Sequence, residues 1–532
     1  MQATDTEHPE FDIYVGFGRL VDRAAAWLDG AAVSVLDKEA IDVSRRLTQR
    51  LIEMTFMPFA QSTKQRSVLR HDIRLAGIAI DPEMGGVKLS LAALCRALVE
   101  YSAHWGLALV AILAGFLPHK NTAPATLVYG VDISKPGKNS DERFVDYCRN
   151  GPIQPLKDAG RLLIQSTVHQ GILSNARWQY AKYPHLILVA EGRLGIYRRI
   201  RLLLTQLVAP LGYLNAVLRF PPMALLGRDF GLAPIMQALI DAHLIESCVI
   251  TNSTGKVQPL WMRGKRNFAV HMVWYSQNTR LHQYKNQAHE AQNPHIPYVT
   301  ADVHWVWTEG YRDHLARILK TQGDIRVVGP ILWYLPEALS IKLERPCVAV
   351  FDVIPVTADA AFKLGIPDSY FSPRNAQKFL TDIVEACNSI GDLTGERPQI
   401  YLKHKREAAS PLFDRSYLDL VSELASSGQI CLLDPGENIF GMLAASDLCV
   451  AIPYTSPVHV ATSVGTPAIY YDPTQSLQSG LDQATDQIAE QGPEQTQGLH
   501  SVHFIAEREQ LETTIMNWVA GVNSVKVRTA ND

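Results

Sequence analysis

The spacing of apolar positions changes twice along the chain. In residues 1–120 apolar side chains recur at helical intervals, most clearly over 38–57 and 89–102, and predict a mainly helical N-terminal region that serves as an accessory packing element. From Thr126 the pattern becomes short apolar runs separated by helical stretches: 126–131, 161–165, 185–190, 248–251, 269–275, 304–307 and 326–328. Runs rich in Val, Ile, Leu and Tyr read as buried strands, and spacers long enough for crossover helices predict a parallel sheet. This is a first α/β domain, 121–330. A second series starts after Gly329-Pro330. It reads as strands at 347–354, 399–403, 430–433, 448–452 and 468–471, with helices at 373–390, 416–426, 438–445, 458–464 and 511–519. Ser372 and Pro373 are suited to the cap and first turn of their helix. Repeated β-α-β units predict a second doubly wound domain, 331–532, and 480–498 reads as an exposed polar loop.

Composition adds exclusions. The formal net charge is −3, from 50 basic and 53 acidic residues, so no global field draws nucleic acid and an anionic ligand needs a local site. The seven cysteines are scattered, without a CxxC pair, which argues against a zinc site or disulfide framework and fits a reducing cytoplasm. The acidic, polar start MQATDTEHPEFD is unlike a secretory signal. The apolar run 105–117 is shorter than the ~20 residues of a spanning helix. Segment 200–226, with Arg193, Arg198, Arg199 and Arg201 about its start, reads as a buried helical hairpin broken at Pro210 and Pro221-Pro222. The competing reading lays it on a membrane surface, arginines against lipid phosphates.

The richest chemistry lies in 451–473, AIPYTSPVHVATSVGTPAIYYDP. A strand, the turn around Tyr454, Thr455 and Ser456, and a following helix present backbone N–H groups and a helix dipole suited to a phosphate. The bland alternative is helix capping by Thr455 or Ser456. Lys403, His404, Lys405 and Arg406 close a strand; they suit an anionic ligand group such as a phosphate or carboxylate, or form a solvated basic end. Asp434, Glu437 and Asn438 follow the next strand, as nucleotide contacts or as turn and cap residues. In the first domain Glu191 follows the apolar run HLILVA and reads as a cleft-facing general base, or as an ion-pair partner of Arg193. Asp302, among aromatic neighbours that would raise its pKa, and Asp132 are the candidates for a second carboxylate. Arg193, Ser253, Tyr275, Ser276 and Asn278 lie at polar strand ends that suit the hydroxyls of a polar ligand. His282, His289 and His295 are too irregularly spaced for a metal site, and no DxD triplet occurs; neither metal nor cofactor is expected.

IPYTSPVHVATSVGTPAIYYDP resembles the signature of bacterial surface-polysaccharide biosynthesis proteins named for a Pro-Phe-Thr-Ser motif, with Tyr454 in place of Phe. LKHKRE at 402–407 is similar to that family's basic strand end, and VYGVD, VAEGR, TNSTGKVQPLW and WYSQNT extend the likeness across about 121–520. The resemblance implies a GT-B-like fold, two Rossmann-like domains facing a cleft. It also implies a glycosyltransferase of O-antigen or capsule assembly, similar to retaining enzymes that transfer 3-deoxy-manno-octulosonic acid (Kdo), or a related nonulosonic acid, from a CMP donor. His404, Thr455 and Ser456 stand where such enzymes hold the CMP phosphate. The resemblance also makes the ligand of the polar strand ends at Arg193, Ser253, Tyr275, Ser276 and Asn278 a sugar or an acceptor. A lipid-linked acceptor would place the protein in the cytoplasm, peripheral to the inner face of the cytoplasmic membrane. A transferase or epimerase using a UDP-, GDP- or dTDP-sugar, and an inactive carbohydrate-assembly scaffold, remain the alternatives.

Overall fold

The computed structural model describes residues 9–35, 40–64, 73–75, 78–81, 86–117, 124–131, 140–165, 178–191, 194–252, 258–263, 266–276, 282–285, 293–321, 323–363, 370–404, 408–478 and 502–529. The N-terminal region opens with two packed helices, α1 (Pro9–Val35) and α2 (Ala40–Lys64). A small antiparallel sheet follows, which helical periodicity did not predict: β1 (Ile73–Leu75), β2 (Ile78–Ile80) and β3 (Val87–Leu89). α3 (Leu91–Ala114) starts on a Ser90 side chain that accepts from the Ala93 N–H. Although it precedes residue 120, α3 packs against helices of the first α/β domain.

That domain runs β4 (Ala125–Tyr129), α4 (Ser140–Asn150), α5 (Gln154–Lys157), β5 (Leu162–Gln165), β6 (Trp178–Ala181), α6 (Pro184–Ala190), α7 (Ile196–Arg219), a 3-10 turn over Pro221–Leu226, and α8 (Gly227–Asp241). It continues with β7 (Ile245–Thr251), β8 (Ala269–Val273), β9 (Val303–Val306), α9 (Glu309–Ile318) and β10 (Asp324–Val327). The strands form one parallel sheet, ordered β10-β9-β8-β7-β4-β5-β6. Each central strand is apolar on both faces because helices cover both. Leu127 and Cys248 pack with α3, α6 and α8, whereas the adjoining Val128 and Val249 pack towards α4 and α5.

The second domain runs β11 (Cys347–Phe351), α10 (Ala358–Lys363), α11 (Pro373–Thr394), β12 (Gln399–Lys403), α12 (Arg415–Ser426), β13 (Cys431–Leu433), α13 (Ile439–Ala445), β14 (Leu448–Ala451), α14 (Pro457–Ser463), β15 (Ala468–Tyr471), β16 (Val502–Ile505) and α15 (Arg508–Thr529). Ser372 caps α11 by accepting from the Asn375 N–H, and Gly395, at φ +76°, ends it in the left-handed region where a side chain would be strained. The parallel order β13-β12-β11-β14-β15-β16 is the doubly wound 3-2-1-4-5-6 arrangement.

The two sheets present their carboxyl edges to each other. Arg143 on α4, which follows β4, donates to the Gly436 carbonyl beyond β13 at 3.1 Å and pairs with Glu337 at 2.8 Å. Beyond β8, Tyr284 bridges Leu477, and Lys285 N–H donates to Ser476 beyond β15 at 2.9 Å. Trp333 in the connecting segment sits edge-on to Phe144 and Tyr147. One apolar cluster therefore joins a face of each sheet through Ile331, Trp333 and Leu343. Two Rossmann-like domains facing a cleft, with a helical N-terminal extension, make the fold GT-B-like.

Three expectations are corrected. HLILVA is not a strand but α6, opened by Pro184 at its first turn; the strand before it is β6. The buried-hairpin reading of 200–226 holds for Pro221–Leu226, where residues 222–226 are buried, and fails for α7, where Leu202, Gln206 and Tyr213 alone are buried. Finally, by length and composition α3, α7 and the segment Pro221–Asp241 are each apolar enough to cross a membrane, which the 13-residue run at 105–117 had concealed.

Candidate functional site

Doubly wound sheets bind ligands beyond the carboxyl ends of their strands, where the winding direction reverses. In the second sheet that point lies between β11 and β14. Asp352 follows β11 directly, and His404 follows the neighbouring β12. Their side chains meet: His404 Nδ1 lies 3.0 Å from Asp352, whose other contact is the hydroxyl of Tyr417 on α12. Asp352 and His404 are both buried, and burial beside Asp352 raises the Tyr417 phenol well above its usual range, so Tyr417 stays a donor. With Nδ1 held by the carboxylate, His404 Nε2 is buried and has no partner among the described residues. A buried polar atom left unsatisfied is unfavourable, and a ligand group at this edge would relieve it.

Lys403 is also buried, its ammonium donating to the Pro435 carbonyl at 2.7 Å. Burial brings its pKa down to about 8, against the opposing pull of Asp434 and Glu437. Beyond β14 the chain turns sharply through Tyr454, whose φ of +59° places it in the left-handed region. The Tyr454 hydroxyl donates to the Gln478 carbonyl at 2.8 Å, and its ring packs by His282 from the first domain. Burial lowers the pKa of His282 to about 4, leaving a neutral imidazole across the domain boundary.

The turn corrects the expectation for Thr455. Its hydroxyl is buried and donates to the Ile452 carbonyl at 2.7 Å, so it stabilises the turn instead of offering a donor to a ligand. Ser456 occupies the cap position of α14 without a side-chain capping bond. Asn438 is a helix cap: its Oδ1 accepts from the Phe440 N–H, and its Nδ2 donates to the Leu335 carbonyl. Glu437 accepts from the Ser340 hydroxyl and N–H, tying β13 to the interdomain segment. Asn438 follows the turn-and-cap alternative, whereas the Glu437 side chain is engaged by the interdomain segment instead. Tyr275 and Ser276 lie beyond β8 on the facing edge, where Tyr275 meets the Trp333 ring.

Two of the three carboxylates considered for catalysis, Glu191 and Asp302, lie at the opposite end of the first sheet. Glu191 ends α6 and is paired at 2.5 Å with Arg161, which precedes β5. Asp302 precedes β9, accepts from the Val270 N–H, and pairs with Arg266 at 2.5 Å. Its carboxylate is about half exposed, so aromatic neighbours do not shield it from water. Lys405, Arg193, Ser253 and Asn278, with Asp132 and 480–498, lie outside the described residues. Sequence reasoning missed Asp352 and Tyr417: Asp352 was absorbed into an apparent strand at 347–354, although an acid closing an apolar run was the available signal.

The family model for polysaccharide biosynthesis PFTS motif proteins matches residues 212–491, just over half of the chain. No curated protein matches. Among solved structures, the chain is similar to a sucrose-phosphate synthase from Thermosynechococcus elongatus, at 13% identity and TM-score 0.38, covering 74% of this chain and 90% of that one. It is also similar to an alpha,alpha-trehalose-phosphate synthase (UDP-forming) from Burkholderia vietnamiensis, at 9% identity and TM-score 0.29, covering 65% and 84%.

Proposed function

Because the chain belongs to the polysaccharide biosynthesis PFTS motif family, we propose that it is a glycosyltransferase of bacterial O-antigen or capsule assembly, taking Kdo or a related keto-sugar acid from a CMP-linked donor. The observation that carries the reading is the unpartnered Nε2 of His404, buried at the carboxyl edge beside the point where the sheet reverses. His404 bridges Asp352, through Nδ1, and the donor phosphate, through Nε2, in a pair of charge-assisted bonds. The Asp352–Tyr417 contact fixes the ring, so little orientational freedom is lost when the phosphate arrives. Lys403 adds a cation whose charge an arriving phosphate would favour. The CMP assignment and retention at the anomeric carbon rest on the motif resemblance.

Calorimetric titration with CMP, CDP, UDP, GDP and dTDP tests this directly. CMP is expected to bind selectively, and His404→Gln to weaken it at least about tenfold, as expected when a hydrogen bond to a charged group is lost. Preference for a diphosphate nucleotide overturns the donor assignment, and absence of any nucleotide binding returns the scaffold reading. The anomeric configuration of the product, read by NMR, decides retention.

The same proposal places the protein in the cytoplasm, at the inner face of the cytoplasmic membrane, on a lipid-linked acceptor. α7 exposes Ile200, Leu204, Leu207, Val208, Leu211 and Leu218 to solvent, and α3 beside it exposes Val99, Val110 and Leu113. α7 carries Arg198, Arg199, Arg201 and Arg219 and has no acidic residue. An apolar face bordered by arginines complements an anionic bilayer surface. Vesicles containing phosphatidylglycerol should co-sediment the protein, and Leu204→Glu with Leu211→Glu should abolish this. Equal sedimentation of the double variant would remove the bilayer as occupant.

A further inference from the structure

The first sheet has its own reversal point, between β4 and β7, and a cavity opens at it. Tyr129 and Gln165, the last residues of β4 and β5, meet there with His185 from α6, Arg228 from the start of α8, and Trp261. Two groups in this cavity lack the partners their chemistry requires. His185 is 2% exposed, with Nδ1 3.0 Å from the Tyr129 hydroxyl and Nε2 buried without a partner among the described residues. Arg228 has no ion pair among the described residues, and its Nε is buried without a partner.

Among the described residues the local charges leave Arg228 without a counter-ion. The adjoining carboxylate, Asp229, is engaged by Arg46 of α2 at 3.1 Å and by the Leu260 N–H at 2.5 Å. Arg263, also buried, is near Arg46 and Asp42, and donates to Gln258, Thr300 and the Tyr298 carbonyl. Burial together with the Arg228 charge brings the His185 pKa down to about 3, so the ring is neutral and one ring nitrogen carries the proton. An anion selects the tautomer in which Tyr129 donates to Nδ1 and Nε2–H points to the ligand. The aromatic rim is formed by Trp261, edge-on to Tyr129 at 6.4 Å, and provides an apolar wall for a sugar ring.

We propose that this cavity binds a sugar bearing an oxyanion, phosphate or carboxylate, with the anion held by Arg228 and the Nε2–H of His185 and the ring against Trp261. The site is separate from the His404 crevice and does not depend on which nucleotide that crevice takes. It makes the second substrate of the protein acidic. The arginine supplies planar paired donors suited to either anion.

Titration of the full chain with glucose 1-phosphate, glucuronate and glucose tests the site. At least one charged probe should bind ten or more times tighter than glucose. Arg228→Gln should remove that preference at least tenfold while leaving CMP affinity unchanged and Tm unchanged or raised, since an uncompensated cation is removed. His404→Gln should leave binding of the charged probe intact. Binding of glucose 1-phosphate alone identifies a phosphorylated ligand, and binding of glucuronate alone an acidic sugar; either supports the proposal. Equal binding of all three probes, no binding of a charged probe, or unchanged binding in Arg228→Gln overturns it. A loss in Arg228→Gln with an equal loss of CMP binding and a lowered Tm identifies a structural arginine and overturns it as well. Trp261→Ala, as a second variant, should weaken glucose 1-phosphate and spare inorganic phosphate; unchanged glucose 1-phosphate binding would remove the aromatic wall from the site.

Discussion

Lys403→Met should make the protein more stable and its nucleotide binding weaker. Burial lowers the Lys403 pKa from 10.5 to about 8. At ~1.4 kcal/mol per pKa unit, holding the charged form in the folded state at neutral pH costs at most ~3.5 kcal/mol. The hydrogen bond to Pro435, ~1.5–3 kcal/mol for a charged donor, is lost on substitution, so the net gain is about 0.5–2 kcal/mol. The pH dependence gives the argument its signature. Below pH 8 the lysine is protonated in both folded and unfolded chains, and the penalty is present in full. Between about 8 and 10.5 the folded state has released the proton and the unfolded state still holds it, so wild-type stability rises with pH relative to the variant. Urea denaturation of both proteins at pH 7.5 and 10, followed by circular dichroism, should show a gap at 7.5 that narrows at 10. CMP affinity of the variant should fall in parallel titrations. A variant no more stable than wild type at pH 7.5, with a gap independent of pH, would refute the reasoning.

Two further outcomes follow from the burial pattern. Glu191→Gln should retain turnover and lose roughly 1–3 kcal/mol of stability, because it strips a mostly buried Arg161 of its carboxylate far from the cleft; loss of turnover in a stably folded variant would restore Glu191 as a catalytic residue. Acid should destabilise the fold before the carboxylates titrate. His185 and His304 are buried, with pKa values lowered to about 3 and about 4, so the unfolded chain takes up their protons first as pH falls below 6.5. Each should remove ~2 kcal/mol by pH 5, and an unchanged urea midpoint between pH 7 and 5 would contradict this.

The second sheet was legible because its central strands, such as CVAVF and AIYY, are buried on both faces and read as uninterrupted apolar runs. The same rule misread HLILVA, since a short apolar run buried in a helix has no periodicity to distinguish it; Pro184 in its first turn was the better signal. The error mattered, because a strand would have ended Glu191 at the cleft and a helix ends it beside Arg161. His404 was visible as a charged residue closing a strand. Its partners were not, because Asp352 and Tyr417 come from β11's end and α12, 52 and 13 residues away, and only the winding of the sheet brings them together. The first-domain cavity was hidden for the same reason: Tyr129, His185, Arg228 and Trp261 belong to four separate segments.

The apolar cluster bridging the sheets through Ile331, Trp333 and Leu343 bears on how the molecule melts. The sheets are coupled by shared interior as well as by a tether, so neither can lose its packing without exposing the other's. Cutting the chain after Pro330 would leave Phe144 and Tyr147 without the indole that covers them, and would expose the matching face of the second sheet. Two lobes that look separable in outline should therefore unfold in a single calorimetric transition, with a van't Hoff enthalpy near the total heat absorbed.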